Sequence, residues 1–415
     1  MRHTPPVAPA DVGTAAAFLR QLAEGSPLDV SQFWRDVDAM NMPLVTEVAG
    51  DRNAREVTFL WRAERPLQGV YVRLNRVTDK SDVDKGLMRR LPSSDIWILT
   101  LRLPATYCGS YTIVEIPQGT PADALSQLGG RFSLLSGQAD PLNKTPGINV
   151  RGVERESVLA LDQAPAQDEW ARGPHCFSGS LSVSQRAIAG RKRRVRLYLP
   201  DVPAAQPLGM LVLPDGETWF DHVGVAPAID AAINNGRIPP VAVLGVDNVD
   251  ERDRTEILGG RRELVLDIAC RLLPEVMAEQ AHRCWAGRSQ TVLAGQSLGG
   301  VTALMAARHA ADTFGLVLCH SPSMWWTPDG SGRPFLFSSS DTSWVSEHLL
   351  SAPPQTVRVR LCVGSLEGST VPHVQQLHQR LLAAGVDSRC AIYTGGHDYA
   401  WWRGALIDGL ALLSS

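Results

Sequence analysis

What the chain lacks narrows its chemistry. No two cysteines stand at C-x-x-C spacing; the seven present (Cys108, Cys176, Cys270, Cys284, Cys319, Cys362, Cys390) are scattered and odd in number. That argues against a zinc site and against a disulfide framework. Cys319 and Cys362 fall in apolar runs and read as small core hydrophobes. An excess of one charge is missing too. Forty basic against 43 acidic residues leave a formal charge of -3, so no global field draws the protein to nucleic acid or to an anionic membrane. No apolar run approaches the length of a membrane span, and residues 1–10 carry no apolar signal region, so the expected location is the cytoplasm. There is no internal repeat, no G-x-G-x-x-G fingerprint and no Walker loop, and the sequence gives no reason to expect a cofactor or a bound metal.

What is present is enough for two or three packed domains: 415 residues, 44% of them hydrophobic. Ala15, Phe18, Leu19 and Leu22 recur at helical spacing before Gly25 and Pro27, which predicts a leading amphipathic helix. From about residue 55 the period becomes two, through Val57/Phe59/Trp61, Val70/Val72/Leu74, Ile96/Ile98 and Tyr111/Ile113. Short alternating strands with turn residues between them predict an all-β sandwich or barrel. The stretches 138–147 and 164–174 are rich in Pro, Gly and polar residues and read as linker. Beyond them apolar strands at 195–199, 210–213, 241–246, 291–294, 316–319, 357–363 and 390–393 alternate with helical stretches near 261–279, 299–310, 371–384 and 402–413. This pattern predicts a mostly parallel sheet covered on both faces, with the chemistry at the carboxyl ends of its strands.

One such strand end stands out. Gly295-Gln296-Ser297-Leu298-Gly299 follows the apolar run 291–294 and leads straight into a helix-forming stretch. Strand, sharp turn with small residues, and helix make a nucleophile elbow, in which the serine hydroxyl projects above the sheet. A serine needs a base and an acid to be reactive at neutral pH, in the chain order Ser, Asp or Glu, His. His397 is the expected base, because Thr394-Gly-Gly-His-Asp398 follows the last strand and precedes the final helix. Glu367 is the expected acid, after the strand at 357–363; Asp329 and Asp341 in a long loop are alternatives, and Asp398 adjoins the histidine too closely to orient it. His373 and His378 are five apart on a helix, share no face for a metal, and read as solvated. The oxyanion donors should be the amide of Leu298 and one from the loop after 211–216, at Glu217 or Thr218.

These residues resemble the enterochelin esterase family. The motifs that carry the resemblance are Val57-Thr-Phe-Leu-Trp-Arg62, Gly109-Ser-Tyr111 and Asp140-Pro-Leu-Asn143, then Asp215-Gly-Glu-Thr-Trp219, Arg254-Thr-Glu-Ile-Leu258, Ala294-Gly-Gln-Ser-Leu-Gly-Gly300, Ser321-Pro-Ser-Met-Trp-Trp326 and Gly395-Gly-His-Asp398 with Trp402-Arg-Gly404. The resemblance implies an N-terminal immunoglobulin-like β-sandwich lid (1–165, with the leading helix) and a C-terminal α/β-hydrolase domain (166–415). It also implies a cytoplasmic, metal-independent serine esterase that opens the trilactone of a ferric or apo tricatecholate siderophore such as enterobactin, through Ser297, Glu367 and His397.

A ferric tricatecholate is a trianion with three flat rings, so its cleft should combine arginines with aromatics. Arg252 and Arg254, with Arg261 and Arg262, and Trp219, Trp325 and Trp326 are the expected substrate contacts. Arg73, Arg76, Lys80, Lys85, Arg89 and Arg90 are candidates to close over the anion. Arg191-Lys-Arg-Arg194 resembles a nucleic-acid patch but reads as a hairpin surface. Two other readings compete: a feruloyl or acetyl esterase with a carbohydrate-binding module, and a siderophore-binding protein without catalysis. The sequence leaves the oligomeric state open.

Overall fold

The computed structural model describes residues 29–80, 82–130, 133–150, 154–171 and 177–414; the leading helix expected at 15–22 lies outside them. The chain divides into two compact units, Met1–Ala171 with Thr394–Trp401, and Arg172–Tyr393 with Trp402–Ser415.

The first described element of the first unit is a helix that the sequence reading missed, Val30–Ala39, which buries Phe33, Trp34 and Val37. Its signal is Asp29, whose carboxylate accepts the amides of Ser31 and Gln32 as an N-cap. Two four-stranded antiparallel sheets follow. One has the order β1 (Leu44–Val48), β2 (Asp51–Arg62), β5 (Ile96–Pro104), β4 (Arg89–Arg90). The other has the order β3 (Leu67–Leu74), β6 (Cys108–Pro117), β8 (Glu154–Ala160), β7 (Ile148–Val150). Phe59 of β2 meets Tyr111 of β6 edge-on at 5.1 Å between ring centroids, so the inward faces of the two sheets share a core, as the period-two pattern requires.

The linker expected at 138–147 is instead part of the sandwich. Gln138 bridges to Ile113, and buried Asp140 accepts from the Tyr111 hydroxyl at 2.7 Å and takes its own amide bond to Ser157 Oγ at 2.8 Å. The proline and polar residues there serve a buried hydrogen-bonded turn. In the other expected linker, Asp168–Ala171 forms a 3-10 turn that buries Trp170.

The second unit is an eight-stranded sheet of order β16-β15-β14-β13-β11-β12-β10-β9. Its strands are β9 (Ser180–Ile188), β10 (Arg191–Leu199), β11 (Gly209–Pro214), β12 (Val241–Val246), β13 (Thr291–Gln296), β14 (Leu316–His320), β15 (Arg358–Gly364) and β16 (Ser388–Tyr393). From β12 through β16 neighbouring strands run parallel, while β9 and β10 form an antiparallel hairpin at one edge. β11, β12 and β13 are buried at every residue, which is why they are continuous apolar runs and not alternating ones. The expected helices are present as residues 262–279, Leu298–His309, Thr370–Ala383 and Tyr399–Leu410.

Two expectations about charged and titratable groups are corrected. Arg193, in the supposed surface hairpin, is wholly buried and forms an ion pair with Asp253, which is also wholly buried; only its neighbours face outward. His373 is not solvated but 3% exposed, stacked on Phe337 at 4.4 Å. His378 is half-buried and bonds to Ser388 Oγ through Nδ1 at 2.8 Å.

Candidate active site

β11 has β12 on one side and β13 on the other, so the strand order reverses there, and the carboxyl ends of β11 and β13 are where such sheets place their ligands. Ser297 follows β13 with φ 57° and ψ -120°, a strained backbone that costs about 1–3 kcal/mol and must be held by its surroundings. The Ser297 amide donates to the His320 carbonyl at 3.0 Å, and its carbonyl accepts from the amides of Gly300 and Ser323. The turn is tight enough that a Cβ at Gly295 would sit 2.1 Å from the Gly299 carbonyl oxygen. Helix Leu298–His309 begins immediately, directing its N-terminal amides toward the serine. The Ser297 hydroxyl lies 3.3 Å from that of Ser323, a neighbour the sequence reading did not assign.

The loop after β11 is anchored on Asp215, 1% exposed and at φ 59°. Its carboxylate receives Arg254 at 2.6 and 2.9 Å, Gln296 Nε2 at 2.7 Å and Asn248 Nδ2 at 2.7 Å. Gln296 precedes Ser297 and accepts from the Trp219 indole at 3.1 Å, so one amide ties this loop to the elbow. Of the two alternatives for the second oxyanion donor, the Thr218 amide is committed to the Asp215 carbonyl at 2.9 Å; Glu217 stands as the candidate. Its carboxylate accepts from the Asn248 amide and side chain at 3.0 and 2.8 Å. Burial, and then the Asp215 charge, push the Glu217 carboxyl above the ordinary range.

Glu367 sits in the turn after β15, 3% exposed. Its Oε1 accepts from the Gly364 amide at 2.7 Å and from the Ser321 hydroxyl at 2.5 Å. The alternative acids do other work. Asp329 is exposed and held near pKa 2 by hydrogen bonds from Thr327 and Ser331, and exposed Asp341 accepts from the Ser338 amide.

His397 lies in the Gly-rich segment after β16 that groups with the first unit. Asn75 Nδ2 donates to its carbonyl at 3.4 Å. Asp398 is committed to the amides of Ser110 at 2.6 Å and Ala400 at 2.8 Å. The glycines before His397 allow close approach: a Cβ at Gly395 would meet the Cys108 carbonyl at 2.5 Å, and one at Gly396 would meet Asn75 Oδ1 at 2.1 Å.

Three of the expected substrate contacts, Trp219, Arg254 and Trp326, are buried in structural roles. Trp219 is wholly buried with its indole bonded to Gln296, and is a packing residue. Arg254 is 8% exposed and spent on Asp215. Trp326 is 6% exposed and packs on the backbone of Gly259 and Gly260, where a Cβ would meet its ring at 2.4 and 2.3 Å. Trp325 is half-buried, Arg252 is exposed and paired with Glu256 at 2.8 Å, and Arg261 lies over the Trp326 ring at 5.6 Å. Arg73, one of the cations expected to close over the anion, donates to the carbonyls of Leu128 and Leu135. Among the described residues no cluster of three or more metal-ligating side chains occurs, and no helix is long and apolar enough to cross a membrane.

Comparison with known proteins adds the following. Residues 186–413 match the family described as putative esterase, and residues 56–170 match that described as enterochelin esterase, N-terminal. The chain is 68% identical over 401 residues to the iron(III) salmochelin esterase of Escherichia coli O6:H1, covering 96% of this chain and 98% of that protein. It is 28% identical to the iron(III) enterobactin esterase of Dickeya dadantii, covering 96% of each. The crystal structure of the enterobactin esterase from Shigella flexneri, determined in the presence of enterobactin, superposes with a TM-score of 0.77 at 28% identity, covering 93% of this chain and 99% of that one.

Proposed function

The chain belongs to the enterochelin esterase family, and from that premise we propose that it hydrolyses the trilactone esters of an iron-loaded tricatecholate siderophore, with Ser297 as nucleophile, His397 as general base and Glu367 as the acid that orients the histidine. The observation that carries the reading is a strained serine in a Gly-x-Ser-x-Gly elbow at the switch point of a parallel sheet. The relative at 68% identity is named for salmochelin and those near 30% for enterobactin, which favours salmochelin as the preferred substrate.

Ser297 Oγ attacks the lactone carbonyl while its proton passes to His397. The oxyanion that forms is held by the amides of Leu298 and Glu217. Collapse expels the scaffold alkoxide, which takes the proton from His397, and leaves an acyl-enzyme. Water, deprotonated by the same imidazole, adds to that ester and restores the serine, so each ester consumes one water. Iron is cargo of the substrate; cutting the ring loosens its chelate. We assign the reaction to the cytoplasm, a reading supported by the free thiols of the six described cysteines.

Chromatography of products from iron-loaded and iron-free trilactones tests this directly. Ser297→Ala should abolish release of linear fragments with the melting temperature retained; turnover that survives the change refutes the nucleophile.

A further inference from the structure

The Ser321-Pro-Ser323 motif is not absorbed by the triad, yet its first serine occupies an improbable position. Ser321 follows β14, next to β13 in the sheet, and is wholly buried with φ 45°. Its amide makes the last bond of the β14–β15 ladder, to the Cys362 carbonyl at 2.7 Å, and the chain turns out of the sheet at this residue. The consequence is the direction of the hydroxyl, which donates to Glu367 Oε1 at 2.5 Å and accepts from the Trp402 indole at 2.8 Å.

A serine hydroxyl has one proton. The Trp402 indole is a donor only, so it occupies a lone pair of Ser321 and leaves that proton for the carboxylate. With the Gly364 amide on the same oxygen at 2.7 Å, Oε1 is fixed by two donors, and the plane of the carboxylate, and with it Oε2, is set. A carboxylate that orients a base acts through its direction, and small errors of angle are costly.

We propose that Ser321, held by Trp402, is the positioning residue for Glu367. The proposal rests on the reading of Glu367 as the orienting acid, and it assigns a second function to the segment whose Ser323 lies against the nucleophile.

The test is a set of variants assayed for kcat and KM on one iron-loaded trilactone, each with its melting temperature. Ser321→Gly removes the hydroxyl and accommodates the positive φ without strain; Ser321→Ala removes it at the native Cβ. Both should lower kcat about 10- to 100-fold, the effect of losing a hydrogen bond to a charged group, with KM within about twofold. Trp402→Phe, which frees the hydroxyl to rotate, should give a smaller loss in kcat of the same kind. In a Glu367→Ala background Ser321→Gly should cost nothing further, because the group it positions is gone. A role in packing alone would multiply the two losses. Full kcat in Ser321→Gly beside a crippled Glu367→Ala overturns the proposal alone. Full kcat in Glu367→Ala beside an inactive Ser297→Ala refutes the orienting-acid reading and the proposal with it.

Discussion

Replacing Arg254 by methionine separates two accounts of the same residue. As a substrate contact, Arg254 would contribute to binding the trianion, and its loss would raise KM and leave the fold intact. The structure predicts the reverse. The guanidinium makes two bonds, 2.6 and 2.9 Å, to a carboxylate that is 1% exposed. Arg254→Met leaves Asp215 buried with only the neutral donors Gln296 and Asn248. Breaking a buried pair from one side costs about 3–5 kcal/mol. For a unit the size of the hydrolase domain, that is a fall in Tm of roughly 6–20 °C. kcat should fall as well, because Asp215 and Gln296 join the loop proposed to hold the oxyanion to the elbow, while KM moves less. Adding Asp215→Asn should recover part of the Tm by removing the stranded charge. Melting curves for the single and double variants, with kcat and KM on the trilactone, are sufficient. An unchanged Tm with a KM raised severalfold would refute the argument and return Arg254 to the substrate.

Gly295→Ala should abolish activity and lower soluble yield, since its methyl would lie 2.1 Å from the Gly299 carbonyl oxygen; expression with a Ser297-directed active-site label checks it, and a normally labelled protein is the contrary result. His320 is wholly buried, and burial, aided by Arg360, pushes its pKa from 6.5 down to about 3. The unfolded chain takes up a proton below pH 6.5 and the folded one does not until about pH 3, so this residue's contribution to stability is full above 6.5 and falls with pH across that window. At about 1.4 kcal/mol per pH unit, its share of the loss between pH 6.5 and 5 is roughly 2 kcal/mol; in urea titrations at both pH values, the fall in unfolding free energy from pH 6.5 to 5 should be smaller in His320→Gln than in the unaltered protein by about that amount, and equal falls would refute it.

All three sheets were legible wherever burial leaves a pattern: alternation marked β2, β3, β5 and β6, and unbroken apolar runs marked β11 to β14. What escaped had no such mark. Val225–Asn234 is buried at eight of its ten residues, so it lacks the polar stripe by which a helix is read, and β9 is largely exposed at the sheet edge. Near the candidate site, the strand-turn-helix at Ser297 and the Gly-Gly-His loop between β16 and the last helix were legible, because each is a rare residue pattern. Charge was misread for a different reason. Arg193 and Arg254 look like surface cations because their carboxylate partners lie 60 and 39 residues away, a separation that leaves no local pattern.

The least visible feature is also the one that organises the sheet end. Asp215, Ser297 and Ser321 follow β11, β13 and β14, three adjacent strands, and each has positive φ. Glycine announces such a backbone in a sequence; aspartate and serine do not. At roughly 1–3 kcal/mol each the strain is comparable to a large part of a domain's net stability, so each residue must be held by bonds that a relaxed turn would forgo. Asp215 is held by Arg254, Gln296 and Asn248, Ser297 by the His320 carbonyl, and Ser321 by Trp402 and Glu367. Ser297→Gly should therefore be more stable than Ser297→Ala by about 1 kcal/mol or more, since only the glycine sheds the strain. Equal stability of the two variants in urea would mean that the elbow stores no strain, and that the network around it serves some purpose other than holding Ser297.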